Sequence, residues 1–398
     1  MASKLTTTFA GIPLINPFLL ASAPPTGNCE MLARAFDAGW GGAVIKTVAY
    51  DQRISQNVSP RIAAYKSGKH ILGFTNFELG SGDCLDRWLE GIRWLKEKFP
   101  EHAVLVSLLH TEELVESQWR AVTRMFNDTG ADGYELNLSC SHGMAEAGGG
   151  AQVGGNADAI RMVTGWVCEE TSLPVMPKLP VMVPDIVGRA KAAKDAGAKA
   201  IASINTLNAL PGIDLRTYRP YPAVAGMSAF SGLSGRAIKP IALRTVAQLA
   251  AGMDLPVSGI GGIYRWQDAA EFILAGAGSL QVCSAVMEYG YGCIGAMKSG
   301  LVSYMEEMGF ESLEDFRGKA LPYITAHNAL SRQKRAKAIC HNDICVRCDK
   351  CIPVCSDSGF SAIYRDGERV IVDPDKCDGC GLCTQICPVG ALQMEQQP

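Results

Sequence analysis

Eight cysteines near the C-terminus have the residue type and spacing to do chemistry. Cys345, Cys348, Cys351 and Cys355 form one C-x2-C-x2-C-x3-C run; Cys377, Cys380, Cys383 and Cys387 form a second, followed by Pro388. A [4Fe–4S] cube needs thiolates converging from different directions, most of them from a tight loop that wraps the cluster. In two-cluster modules of this spacing the last cysteine of each run ligates the other cluster. The expected sets are Cys345, Cys348, Cys351 and Cys387 for one cube, and Cys377, Cys380, Cys383 and Cys355 for the other. Zinc also uses C-x2-C pairs, but two complete runs with a C-P ending favour iron–sulfur. Such a module moves single electrons, and its clusters need a source and a sink.

The composition narrows the setting. At 398 residues the chain has room for one large domain and a small one. Of 15 cysteines, those outside the two runs (Cys29, Cys84, Cys140, Cys168, Cys283, Cys293 and Cys340) are scattered, which favours a reducing compartment over a disulfide framework. Cys29, Cys84, Cys168 and Cys293 read as small buried thiols. A net charge of −3 gives no electrostatic case for nucleic acid or an anionic membrane. No apolar stretch reaches the ~20 residues of a membrane span, and no secretory leader is evident. The expectation is a soluble, cytoplasmic protein without nucleic-acid or membrane partners.

The elements that must position a redox site recur along the chain. Strand patterns fall at Phe18–Ser22, Ala43–Val48, Ala103–Leu108, Gly133–Leu138, Pro174–Leu179, Ala200–Ile204, Pro256–Ile260 and Ser279–Cys283. Helical patterns fall between them at Met31–Ala38, Leu85–Lys98, Glu112–Asp128, Ala157–Glu170, Asp185–Asp195, Ile238–Ala250 and Trp266–Ala275, and Gly295–Met308 reads as a closing helix. Strand–helix alternation of this length predicts an α/β (β/α)8 TIM barrel. We place the barrel at 1–310, a linker at 311–339 and a 2[4Fe–4S] bacterial-ferredoxin-like domain at 340–398. The basic run Ser331–Lys337 reads as a solvated linker or a docking patch, and Arg365–Asp375 as the connection between the module's halves.

Barrel active sites lie at the C-terminal ends of the strands, with phosphate held after strands 7 and 8. Here those ends are Ser258-Gly259-Ile260-Gly261-Gly262 and Gln281-Val282-Cys283-Ser284. Lys46 and Lys178 end strands 2 and 5; each either snorkels to water or places a cation where a flavin takes up negative charge. Asn76, Asn137 and Asn205 occupy similar places and could match a ring with alternating N–H and C=O groups, or serve as turn residues. Cys140 ends strand 4 beside Ala145–Asn156, a glycine-rich stretch that reads as a mobile loop. Its thiol is either a proton donor next to a hydride-accepting carbon or a small buried residue. His142 is open as a lid residue, a substrate contact or a proton relay.

These residues resemble a known family. The stretches Asn16-Pro-Phe, Ala21-Ser22, Ala38-Gly-Trp-Gly, Lys46-Thr47, Asn57-Val-Ser-Pro-Arg61 and Glu135-Leu-Asn-Leu-Ser-Cys140 are similar to the catalytic subunits of bacterial dihydropyrimidine dehydrogenases (the PreA type). So are Asn205-Thr206, Gly232-Leu-Ser-Gly235, Lys239-Pro-Ile-Ala-Leu-Arg244, Gly259-Ile-Gly-Gly262 and Gln281-Val-Cys-Ser284; the barrel also resembles class 1 dihydroorotate dehydrogenases. The resemblance implies FMN held by Ser22, Lys46, Thr47, Lys178, Gly235, Ile260, Gly261, Gly262, Cys283 and Ser284. It implies a pyrimidine held by Asn76, Asn137, Leu138, Ser139, Asn205 and Thr206, with Cys140 as the catalytic acid. The chain departs from the family pattern at Ser141, where proline is usual, and at Pro180-Val181-Met182.

The implied activity is reversible reduction of uracil or thymine to the 5,6-dihydropyrimidine, with hydride from FMN N5 to C6 and a proton from Cys140 to C5. No G-x-G-x-x-G opens a strand–helix unit, so a partner subunit carrying FAD and an NAD(P)H site is expected, in a homo- or hetero-oligomer. The alternatives are an enzyme of the same build acting on dihydroorotate or another ring, and a non-catalytic electron-transfer subunit.

Overall fold

The structure, a computed structural model, describes residues 4–50, 57–109, 114–140, 150–333 and 335–397. Eight parallel strands close into a barrel: Phe18–Leu20, Gly42–Val44, Ala103–Leu108, Gly133–Asn137, Val175–Lys178, Ile201–Ser203, Val257–Ile260 and Ala277–Val282. They run around the barrel in chain order, and Leu280 pairs with Phe18 to close it. Each expected strand overlaps one of them. The expected second and eighth strands run on past the ladder, so Lys46 and Cys283 sit just beyond it at the barrel mouth.

Alternation along the strands builds two cores. Phe18, Leu20, Ala43, Val104, Val106, Tyr134 and Leu136 face the helices. Leu19, Val44, Leu105, Met176 and Ala202 face inward, the period of two expected of a pleated strand. An N-terminal hairpin, Thr7–Phe9 with Ile12–Leu14, adds Phe9, Ile12 and Leu14 to the inner cluster.

The helices match their sequence patterns within a few residues. Leu85–Lys98 and Ala157–Glu170 have the expected bounds, and the Glu112–Asp128 pattern is a helix over Glu116–Phe126, with 112 and 113 outside the described residues. Asn28 caps the first helix by accepting from the Met31 amide at 2.9 Å, an N-cap role in which asparagine is favoured. One thiol corrects its sequence reading: Cys84 is exposed, because it stands just before the helix Leu85–Lys98 rather than on its packed face.

One element over the barrel has no counterpart in the sequence reading. Strands Leu207–Ala209, Ser231–Ser234, His70–Asn76 and Ile62–Ser67 form an antiparallel sheet in that order. It pairs Gly232 with Asn76 and so brings long insertions after barrel strands 2 and 6 together.

The chain divides into two compact units between Tyr323 and Ile324, inside the stretch read as a linker. In the second unit Ala336–Cys340 pairs with Leu392–Gln396, and helices Cys351–Asp357 and Leu382–Ile386 each begin within a cysteine run. Arg365–Asp375, read as a plain connection, largely forms a hairpin of Ile363–Asp366 with Arg369–Val372. Asp366 pairs with Arg369, so the two-residue loop is Gly367-Glu368, with Gly367 at φ 55°; glycine at the first loop position suits a type II′ turn. Among the described residues no helix is long and apolar enough to cross a membrane.

The insertion sheet gives a test. A Cβ on Gly73 would overlap the Ser234 carbonyl oxygen across the sheet, whereas one on Gly82 would meet nothing within 4 Å. Gly73→Ala is expected to lose about 1–3 kcal/mol and Gly82→Ala under about 0.5 kcal/mol, read from denaturant melts of the two variants.

Candidate active site and cysteine cavities

Polar side chains interrupt the apolar barrel interior. Glu135 is fully buried, and Lys178, Ser258, Ser279 and Gln281 are at most 5% exposed. An ionised carboxylate in such a place must be paired. Glu135 accepts from Lys178 Nζ at 3.2 Å and from Gln281 Nε2 at 2.7 Å. Gln281 Nε2 also reaches Ser258 Oγ at 3.2 Å, and Ser279 Oγ donates to that oxygen at 2.8 Å. Lys178 therefore does not snorkel; its ammonium is held inside, on the wall of a cleft.

That cleft opens at the C-terminal ends of the strands, where barrel active sites lie. It gathers most residues singled out in the sequence: Ser22, Lys46, Thr47, Lys178, Gly235, Ile260, Gly261, Gly262, Cys283 and Ser284, with Asn76, Asn137, Cys140, Asn205 and Thr206. Leu138 and Ser139 do not line it. Leu138 points into the outer core, and Ser139 stands behind the wall, accepting from Asn205 Nδ2 at 2.9 Å. His142 and residues 145–149 lie outside the described residues. Within 150–156, read as a loop, Ala151–Gly154 is a short helix, and a Cβ on Gly154 would overlap the Leu138 carbonyl.

The asparagines are fixed by one another. Asn205 Nδ2 donates to Asn137 Oδ1 at 3.1 Å, and Asn137 Nδ2 to Thr47 Oγ1 at 3.4 Å. Thr47 is tied to Ser22 (3.0 Å) and Ser107 (2.8 Å). Asn76 Nδ2 donates to the Gly232 carbonyl at 3.0 Å, so the insertion sheet sets its position. Cys140 is 8% exposed and packs among Ala49, Leu79 and Leu109.

Glu78, Gln281 and Tyr264 line the cleft but were not singled out as site residues. Glu78 pairs with Lys46 Nζ at 2.8 Å and with Arg61. Burial alone would raise its carboxyl; Lys46 and Arg61 outweigh that and hold it below the ordinary carboxylate range. Only the insertion sheet reveals Glu78, since it lies just past strand His70–Asn76. Cys283 is a different matter: burial pushes its thiol up to about 11, so it is a neutral wall residue rather than a nucleophile.

The cleft fits a flavin mononucleotide. Tyr264 Oη and Gln281 Oε1 are buried without a protein hydrogen-bond partner, and both residues face the cleft. Gly261 and Gly262 have φ of 126° and 76°, which glycine adopts without strain. A Cβ on Gly262 would meet Lys239 Cβ at 2.6 Å, so the wall there is bare backbone.

The second unit contains two cavities. One is lined by Cys345, Cys348, Cys351 and Cys387, together with Cys340; the other by Cys355, Cys377, Cys380 and Cys383. The structure thus brings together the two sets expected from the spacing. Among the described residues no group of His, Cys, Asp or Glu could hold a single metal ion. The thiols frame a space, which fits a cube rather than one zinc. Ala362 N–H donates to Cys355 Sγ at 3.4 Å and Ala391 N–H to Cys387 Sγ at 3.2 Å, so each cavity's remote cysteine already has an amide donor.

Buried cations beside a glycine-walled cleft, with electron-carrying clusters in the same chain, define a flavin- and iron–sulfur-dependent barrel oxidoreductase. Comparison with known proteins gives its family. Residues 4–305 match dihydroorotate dehydrogenase and residues 338–394 match the 4Fe-4S dicluster domain. The chain belongs to the dihydroorotate dehydrogenase family: it is an oxidoreductase acting on CH–CH bonds, with FMN and two [4Fe–4S] clusters as cofactors. It is 38% identical to the NAD-dependent dihydropyrimidine dehydrogenase subunit PreA of Escherichia coli, covering 99% of this chain and 96% of that protein. It is 37% identical to the chloroplastic dihydropyrimidine dehydrogenase (NADP(+)) of Arabidopsis thaliana, over 83% of this chain and 80% of the relative. Identity to the dihydroorotate dehydrogenase B (NAD(+)) catalytic subunit of Pyrococcus abyssi is 36%, over 78% and 97%.

Two outcomes follow from the buried charges. Glu135→Leu leaves the Lys178 ammonium buried without its carboxylate and should cost about 3–5 kcal/mol, whereas Glu135→Leu with Lys178→Met should recover most of it; urea unfolding measures both. Glu78 has a depressed folded pKa. Its contribution to stability is therefore full above its ordinary value of 4.5 and is lost as pH falls through the lowered one. Thermal melts across the acid range should fall more steeply for the native chain than for Glu78→Gln.

Proposed function

We propose that this enzyme reduces uracil or thymine to the 5,6-dihydropyrimidine, reversibly, with electrons from a separate FAD-containing, NAD(P)H-oxidising subunit. The observation that carries this reading is the wall on which Cys140 stands beside Asn76, Asn137 and Asn205. Three amides offer donors and acceptors to the imide edges of a pyrimidine, next to a thiol that can move a proton. The relatives named dihydropyrimidine dehydrogenase, one of them matched over nearly its whole length, support it.

Reduction of the C5–C6 double bond adds a hydride at one carbon and a proton at the other. FMN, when bound, supplies the hydride chemistry. Ser22, Lys46, Thr47, Lys178, Gly235, Ile260, Gly261, Gly262, Cys283 and Ser284 would hold it, with Lys178 favouring its anionic reduced form. Asn76, Asn137, Asn205 and Thr206 bind the ring, and the Thr206 amide, donating to Asn205 Oδ1 at 2.7 Å, fixes which way that amide faces. Leu138 and Ser139 support this wall from behind. Cys140 Sγ gives its proton to C5 and is reprotonated from solvent before the next turnover; in the reverse direction it takes the proton back. Cys345, Cys348, Cys351 and Cys387 bind one cluster, and Cys355, Cys377, Cys380 and Cys383 the other. Thiolate-held clusters suit a reducing cytoplasm.

Steady-state assays with uracil, thymine and orotate test the substrate; turnover of orotate alone sinks the proposal. Cys140→Ala should keep the flavin spectrum and lower uracil reduction by about 10²–10⁴-fold. A wild-type rate in that variant removes Cys140 as the acid. Purified chain with iron and sulfide but no flavin overturns the catalytic reading altogether.

A further inference from the structure

The two cluster cavities follow one plan but differ by one thiol. Strand Ala336–Cys340 runs under both of them: Ala338 lines the cavity of Cys355, Cys377, Cys380 and Cys383, and Cys340 lines that of Cys345, Cys348, Cys351 and Cys387. Residues two apart in a strand share a face, so one face presents a methyl group to one cavity and an S–H to the other. Cys340 is held in place from both sides. It pairs with Leu392 across the sheet, and the next amide, His341 N–H, donates to the Ala391 carbonyl at 2.8 Å. Ala391 is the residue whose own N–H donates to Cys387 Sγ.

Four thiolates already fill the four corner positions of a cube, so a fifth thiol on the same cavity has no iron left to bind. What it retains is a proton. Hydrogen bonds to sulfur and local charge set the reduction potentials of such clusters. Each remote cysteine has an amide donor, at 3.2 and 3.4 Å, and Cys387 accepts from further backbone amides; only its cavity has the additional thiol. Nearby charge leans the same way. Lys350 is in the wall of the first cavity, where Asp349 is already paired with Arg365, while Asp378 is in the wall of the second.

We propose that Cys340 is a potential-setting residue: its S–H donates to the sulfur of the cluster beside it and makes that cluster the more easily reduced of the two. The inference rests on the cysteine sets assigned above. It gives the chain unequal electron carriers, with the electron of a half-reduced module resting on the Cys340 side.

The test is a potentiometric titration of the full-length, cluster-loaded chain followed by EPR. Cys340→Ala should lower one midpoint potential and leave the other in place, with iron and sulfide contents unchanged. Cys340→Ser, which keeps a donor, should restore most of the shift. Ala338→Cys should raise the other midpoint and narrow the gap. Two unmoved midpoints in Cys340→Ala overturn the proposal, and so does loss of a cluster's iron in that variant, which would make Cys340 a ligand. Failure of the underlying assignment has its own signature: Cys345→Ala would retain both clusters intact.

Discussion

The site depends on a carboxylate that has no access to water. Glu135 lies inside a barrel otherwise filled largely by aliphatic side chains, and it is stable there only because Lys178 and Gln281 both donate to it. Each donor is committed by the bond. Lys178 is kept on the cleft wall instead of stretching toward solvent. Gln281 spends its amide nitrogen on Glu135 and Ser258, which leaves its oxygen facing the cleft. The same strand carries this order outward: Glu135, Asn137 and Ser139 share one face by alternation, and Asn137 pairs in register with Lys178. One ion pair thus orients groups on strands 4, 5 and 8.

A second network, separate in its atoms, fixes the other side. Thr47 links Ser22, Ser107 and Asn137, and Asn137 holds Asn205. The amides that face a substrate are therefore preset before it arrives, which lowers the ordering cost of binding. The charges at the cleft are paired as well, three cations to two carboxylates. Lys178 answers Glu135, and Lys46 with Arg61 answers Glu78.

The legible parts of the sequence were those governed by local rules. The barrel strands are short apolar runs punctuated by glycine, and the cluster loops are fixed spacings, so both can be read without knowing what packs on them. The hairpin at Gly367-Glu368 obeys the same kind of local rule, a glycine opening a two-residue loop, but lies between two more conspicuous cysteine runs. The insertion sheet was not legible. Its strand Ile62–Ser67 pairs locally with His70–Asn76, but His70–Asn76 pairs with Ser231–Ser234 across about half the barrel's sequence, and nothing local announces that partner. Glu78 went with it, since a carboxylate past an unrecognised strand looks like surface. Glu135 was quoted within a motif, yet its burial follows only from closure of the barrel. Ser139 shows the opposite limit: motif position put it in the site, while the geometry puts it one layer behind Asn205.

The separation between strands and loops also divides the chemistry. Residues that would hold the flavin come mainly from strand ends, and strand ends are tied to the barrel core, so a change in one disturbs packing as well as binding. The proposed substrate side takes Asn76 from an insertion, and the loop Pro180-Val181-Met182 follows barrel strand 5, with Met182 73% exposed. Loop positions can change without moving Glu135, Lys178 or Gln281. A barrel arranged this way can alter the ring it accepts while keeping the same flavin, because the constraint that fixes the redox chemistry is buried and the surface that selects the substrate is not.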